Sequence, residues 1–187
     1  MLDCGSGVAP YFEFLRNQVT SHYCIDWSEE NRVLEMLDEK VDLNASFNLI
    51  EKDFDCALLS DVLAHVKHPS ILIAEIAKHL KSNGYLVITT PFVYWMSEHP
   101  HEYFHPTEFA LRSMCGEAGF EIVHLEPYGG YPDVLLDTLN KGLTSRFTNR
   151  LFRMLASVVK KTSWYRKSNE KTKYSYPLGY TMVARKL

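Results

Sequence analysis

The chain is expected to fold as a doubly wound α/β domain, with a mostly parallel sheet ended by an antiparallel strand, and three observations predict it. Short apolar runs with the character of buried parallel strands alternate with stretches of helical period. A glycine loop, Asp3-Cys4-Gly5-Ser6-Gly7, closes the first run. A second acid, Asp26, closes the next run, Tyr23-Cys24-Ile25, about twenty residues on, which is how a mononucleotide-binding half holds a ribose.

The elements follow in order. Residues 11–16 and 28–38 read as helices, the second with Ser28 as N-cap before Glu29 and Glu30. Residues 55–60 read as a strand. A helix is expected over 69–80, with Ile71, Leu72, Ala74, Ile76, Ala77 and Leu80 on its apolar side, stopping at Ser82-Asn83-Gly84, where Gly84 allows a positive φ. A β-branched strand over 85–90 ends at Pro91. Residues 94–107 are rich in aromatic residues and histidine, and Pro100 and Pro106 prevent a long helix, so a loop over the carboxyl edge of the sheet is expected. A helix over 108–118, a strand over 120–125, a mainly helical stretch over 133–161, an exposed linker over 163–173 and a last alternating strand over 180–185 complete the reading.

A chain of 187 residues suits one domain. Residues 133–175 are then a basic helical insert before the last strand. No apolar run approaches the ~18 residues a membrane helix needs, and Met1 leads into Asp3 with no signal-peptide pattern, so a cytoplasmic protein is expected. Cys4, Cys24, Cys56 and Cys115 lack paired metal-site spacing and read as small buried hydrophobes. The net charge of -3 conceals an asymmetry: residues 141–175 carry ten Lys/Arg against Glu170 alone.

Together these segments resemble the class I S-adenosylmethionine-dependent methyltransferases, most closely small bacterial members related to ubiquinone-biosynthesis and glycan-cluster enzymes. The resemblance runs through Leu2-Asp3-Cys4-Gly5-Ser6-Gly7, Asp26, Asp42-Leu43, Phe54-Asp55, the segment Ser60-Asp61-Val62-Leu63-Ala64-His65-Val66, Pro69, and Leu80-Lys81-Ser82-Asn83-Gly84. It continues in Glu117-Ala118-Gly119-Phe120 and in residues 178–185. It implies a Rossmann-like sheet and S-adenosyl-L-methionine as cofactor. In that family the first strand is central, so with only Met1 and Leu2 before Asp3 the sequence is expected to be truncated at its N-terminus.

The resemblance implies ribose recognition by Asp26 and adenine recognition by Asp42 and Leu43. Asp3 is expected at the methionine amino end through water, and main-chain groups near Ser60 and Asp61 along the methionine arm. Gly5 and Gly7 let backbone approach the ligand, and amides near Ser6 and the following helix start meet its carboxylate. His65 is either a contact to adenine or acceptor, or a structural histidine. The cluster Glu98-His99-Pro100-His101-Glu102-Tyr103-Phe104-His105 stands where the family places its substrate loop. His101 and Tyr103 are expected to face the acceptor, with His101 or His99 as a base; no metal is expected, because the prolines break ligand spacing.

The reaction implied is methyl transfer to a small-molecule, glycan or lipid-linked acceptor at oxygen. The alternative is a non-catalytic cofactor-binding or structural protein, since Val8-Ala9-Pro10 replaces the third glycine and Ala64 a glutamate of the family pattern. Residues 142–161 place Leu143, Phe147, Leu151, Met154, Leu155, Val158 and Val159 at helical spacing among Arg146, Arg150, Arg153, Lys160 and Lys161. Two accounts fit them: a helix capping the substrate pocket with its apolar side on the core, or an interfacial helix making peripheral contact with anionic lipid. No nucleic-acid partner is expected, because the rest of the chain is acidic.

Overall fold

The computed structural model describes residues 1–27 and 36–187; most of the helix expected over 28–38 lies outside them. Seven strands form one sheet: β1 (Leu2–Cys4), β2 (Tyr23–Asp26), β3 (Glu39–Lys40), β4 (Phe54–Ser60), β5 (Leu80–Pro91), β6 (Phe120–Tyr128) and β7 (Gly179–Lys186). Their order is β3-β2-β1-β4-β5-β7-β6, and β7 runs antiparallel to both neighbours. The remaining pairings are parallel. Among the described residues the helices are α1 (Phe12–Leu15), α2 (Pro69–His79), α3 (Glu108–Glu117), α4 (Tyr131–Gly142), α5 (Arg146–Lys160) and α6 (Ser163–Thr172), with a 3₁₀ turn at Leu63–His65.

Alternation along the strands builds the core. Leu2, Cys4, Ile25, Leu59, Leu86, Ile88 and Met182 are fully buried, and Leu72, Ile73 and Ile76 of α2 and Leu111 and Cys115 of α3 pack with them. Each buried Leu or Ile contributes about 1.5–3 kcal/mol, so this cluster holds the sheet. Pro69 opens α2 at a position that needs no amide. At the other end Lys186 Nζ donates to the carbonyls of Ala77 and Leu80 at 2.6 and 2.7 Å, answering the helix's negative end with a cation from β7. Thr107 caps α3, its hydroxyl accepting from the Ala110 amide at 3.2 Å.

Several elements differ from expectation. The chain enters β5 directly at Leu80, and the positive φ falls on Asn83 (63°) rather than Gly84. Gly84 is needed for space, because a Cβ there would lie 2.9 Å from the Lys81 carbonyl oxygen. β6 continues past Leu125 through Pro127, which an edge strand tolerates because its missing N–H need not join a ladder. The expected linker over 163–173 is helix α6, capped by Thr162 and anchored by buried Tyr165, whose hydroxyl donates to the Asp133 carboxylate. Helix α5 buries none of its residues, which overturns the account that seats its apolar side on the core.

Candidate functional site

The carboxyl ends of β1, β2 and β4 define one cleft of about 470 Å³. At β1 the chain turns on Gly5, whose φ of 70° an L side chain rarely adopts and whose Cβ would lie 2.4 Å from Val62 Cγ2. The Gly5 and Ser6 amides donate to the Ile25 carbonyl at 2.8 and 3.2 Å, tying the loop to β2. Asp26 closes the arrangement: Oδ2 accepts from the Gly7 amide and Oδ1 from the Trp27 amide, each at 2.6 Å. A carboxylate has lone pairs beyond these two, so Asp26 can still accept from a diol.

Gly5, Ser6, Gly7, Asp26, Leu43, Ser60, Asp61, His65 and His101 all line the cleft. Asp3, Asp42, His99 and Tyr103 are not among the lining residues. Asp42 accepts from the Asn44 amide at 2.9 Å, capping its own loop. Asp3 is buried with its Oδ2 2.9 Å from His22 Nε2, and burial raises its carboxyl although His22 pulls the other way. Asp3, His22 and Cys24 bring their ligand atoms within 4.8 Å of one another. Burial pushes the Cys24 thiol up to about 11, Asp3 and His22 are already paired with each other, and three donors are one short of a tetrahedral zinc set. The trio is accounted for as an acid–imidazole pair beneath the glycine loop.

The loop following β5 folds over the cleft. Tyr103 N donates to the Ala64 carbonyl at 2.7 Å, and His65 Nδ1 lies 2.8 Å from the His101 carbonyl, which only accepts, so Nδ1 of His65 carries the proton. The His101 ring packs on Trp27 with centroids 5.4 Å apart, and its Nδ1 lies 3.2 Å from the Tyr103 hydroxyl. Half-buried Glu102 organises this loop. Burial opposes its charge, but His105 Nε2 at 2.8 Å, the amides of Ser97 and Glu98 and the Ser97 hydroxyl hold its carboxyl down at about 2. His105 is thereby committed to Glu102, and His99 is exposed.

One end of the cleft carries a chain of hydroxyls. Thr89 Oγ1 donates to Asp61 Oδ1 at 3.1 Å; its proton used, it accepts from Ser60 Oγ at 3.1 Å, and Ser60 accepts from the Tyr11 hydroxyl at 3.2 Å. Asp61 has a φ of 56°, and its amide donates to the Thr89 carbonyl at 2.9 Å. Burial, then Asp61, Tyr94 and Tyr11, push Tyr128 up to about 12. Tyr11, Thr89, Trp27 and Asn44 were not anticipated. Thr89 was within reach of the sequence, because it lies near the carboxyl end of β5 beside Ser60 and ligands gather at strand carboxyl ends.

A family described as Methyltransferase domain matches residues 1–125. The chain belongs to this family, and its sheet and glycine-loop cleft make it a class I S-adenosylmethionine-dependent methyltransferase by descent. Among curated proteins no sequence matches it. An S-adenosylmethionine dependent methyltransferase from Mesorhizobium loti shares the fold at TM-score 0.62 and 16% identity, over 99% of this chain and 89% of that one. Phosphoethanolamine N-methyltransferase 2 from Haemonchus contortus, solved in complex with S-adenosyl-L-methionine, superposes at TM-score 0.59 and 17% identity over 100% of this chain and 48% of that one. The [4+2]-cyclase SpnF superposes at TM-score 0.62 and 19% identity, over 99% of this chain and 74% of that one. At these identities the likeness is one of fold.

The cleft fits S-adenosyl-L-methionine, the cofactor of the family. Nothing lies within 4 Å of where a Gly7 Cβ would stand, so backbone approach is open there, and Asp26 offers the anionic acceptor a ribose needs.

Proposed function

We propose that the protein transfers a methyl group from S-adenosyl-L-methionine to a hydroxyl of a small-molecule, glycan or lipid-linked acceptor. The observation that carries this reading is that His101 lines the same cleft as Gly5, Gly7 and Asp26. The bound sulfonium supplies an electrophilic methyl and a neutral leaving group. Asp26 accepts from the ribose hydroxyls, Leu43 packs on the base, and Ser60 and Asp61 line the arm. Positioning an acceptor in line is worth several kcal/mol, up to roughly 7–11 in the best cases. With Nδ1–H of His101 given to the Tyr103 oxygen, Nε2 keeps its lone pair and takes the acceptor proton. Tyr103 is then a positioning residue.

Calorimetry with S-adenosyl-L-methionine followed by turnover on a panel of hydroxyl and amine acceptors tests this. Asp26→Ala is expected to abolish measurable cofactor binding. His101→Gln is expected to keep binding and lower kcat/KM by about 10²–10⁴-fold. Methylation at nitrogen alone would refute the oxygen assignment.

A second reading, cofactor binding without methyl transfer, draws on one local feature. Ala9, where the family pattern has its third glycine, is held at φ 48°. A non-glycine residue in that region costs about 1–2 kcal/mol, so the loop keeps a glycine-like shape under strain. The fold shared with a cyclase is consistent with chemistry other than methyl transfer on this scaffold. Cofactor binding with no turnover on any acceptor supports this reading.

A further inference from the structure

We propose that α5 is a membrane-interface helix that lays its apolar face on an anionic lipid surface. Its orientation is the reverse of an ordinary surface helix. Only a narrow side faces the protein, through half-buried Asn149, Phe152 and Ala156. The opposite side carries Phe147, Leu151, Met154, Leu155 and Val158, which are 76%, 44%, 59%, 55% and 62% exposed. At 3.6 residues per turn these five lie on one continuous stripe. A stripe this wide turned to water is the signature of a docking face.

Charge identifies the occupant. Arg150 stands one turn from Phe147 and from Met154, Lys161 one turn from Val158, and Arg146 one turn before Arg150, so a basic row borders one edge of the stripe. Among the described residues these three form no ion pair, whereas Lys160 on the protein-facing side reaches Asp133 at 3.3 Å. Trp164, 66% exposed, stands just beyond the helix, where an amphipathic ring suits the headgroup layer. Arg166, Lys167 and Lys171 add exposed positive charge on α6. A second copy of the chain is a poorer occupant, because a twofold contact would set this basic surface against itself.

The helix lies on the surface and does not cross it. Fifteen residues span about 22 Å, less than a hydrocarbon core, and no helix among the described residues is long and apolar enough to cross a membrane. Apolar area and anionic attraction together set the binding strength of such helices. None of the stripe residues lines the cofactor cleft, so lipid binding does not require bound cofactor.

Co-sedimentation of the full chain with vesicles of phosphatidylcholine, with and without phosphatidylglycerol, tests the proposal. The chain is expected to pellet with the anionic vesicles and to be released by high salt. The triple variant Arg146→Glu, Arg150→Glu, Lys161→Glu is expected to lower partitioning on the order of 100-fold. The double variant Phe147→Ser, Val158→Ser is expected to lower it by roughly tenfold or more. All five positions are exposed, so both variants should retain the parent circular dichroism spectrum. Absence from the anionic pellet, or binding that the triple variant leaves unchanged, overturns the proposal. So does a dimer in sedimentation equilibrium that the double variant dissociates, which would assign the face to a second copy.

Discussion

Asp26 and Gly5 shape the cleft before any ligand enters. Asp26 spends one lone pair on each of two amides, fixing the glycine loop over the end of β2. Gly5 is required twice over, by its φ of 70° and by Val62 Cγ2 at 2.4 Å from a notional Cβ. Gly5→Ala therefore combines a left-handed strain of about 1–2 kcal/mol with an overpacking cost of about 1–3 kcal/mol. Gly7, at φ 55° with nothing near, carries the strain alone. Thermal unfolding is expected to drop by roughly 4–20 °C for Gly5→Ala and by no more than about 8 °C for Gly7→Ala. Equal drops would remove packing against Val62 from the account. Both glycines and Asp26 were legible in the sequence as cleft residues because they follow or close short apolar runs at the spacing of a mononucleotide-binding half. Asp3 was placed at the cofactor, but its carboxylate turns to His22, a partner brought alongside only by strand pairing.

At the scale of elements, the loop over the cleft is held by one half-buried carboxylate. Glu102 has an ordinary value of 4.5 and is held at about 2 in the fold. A depressed carboxyl adds stability above its unfolded value, and that stability is lost as pH falls from about 4.5 through about 2. Solvent screening of this half-buried group brings the contribution to about 1–2 kcal/mol. Hydrogen exchange, corrected for intrinsic rates, is expected to show the Ser97 and Glu98 amides losing protection over that window. In Glu102→Gln the loss should be present already at neutral pH; unchanged protection there would mean the loop is ordered by other contacts. Elements with strong periodicity were read as elements, α2 and β5 to β7 among them, although β5 begins five residues earlier and β6 ends three residues later than expected. Helix α6 was not, because Tyr165 alone is buried among its charged neighbours and leaves no periodic signal. Helix α5 was recognised as a helix, but an apolar stripe does not say which side faces the protein.

For the molecule as a whole, the cleft gathers residues from Gly5 to His101, so a bound cofactor ties the N-terminal loop, β2, β4 and the loop after β5 to one another. The order of motifs along the chain made the α/β class and its cofactor legible. The hydroxyl chain from Tyr11 to Asp61 was not, because it joins side chains as many as 49 positions apart through tertiary contacts. A ligand that binds only the folded state stabilises it by about 2.7 kcal/mol at one hundred times its Kd. For a chain of this size each kcal/mol moves the midpoint by about 2–4 °C, so S-adenosyl-L-methionine at that excess is expected to raise it by roughly 5–11 °C. Asp26→Ala should lose the shift, since it removes both the ribose acceptor and the loop clamp. The double variant Phe147→Ser, Val158→Ser should retain it, because α5 stands apart from the cleft. A shift that persists in Asp26→Ala would place the cofactor elsewhere on the sheet, and one lost in the α5 variant would mean that the two surfaces are coupled through α4.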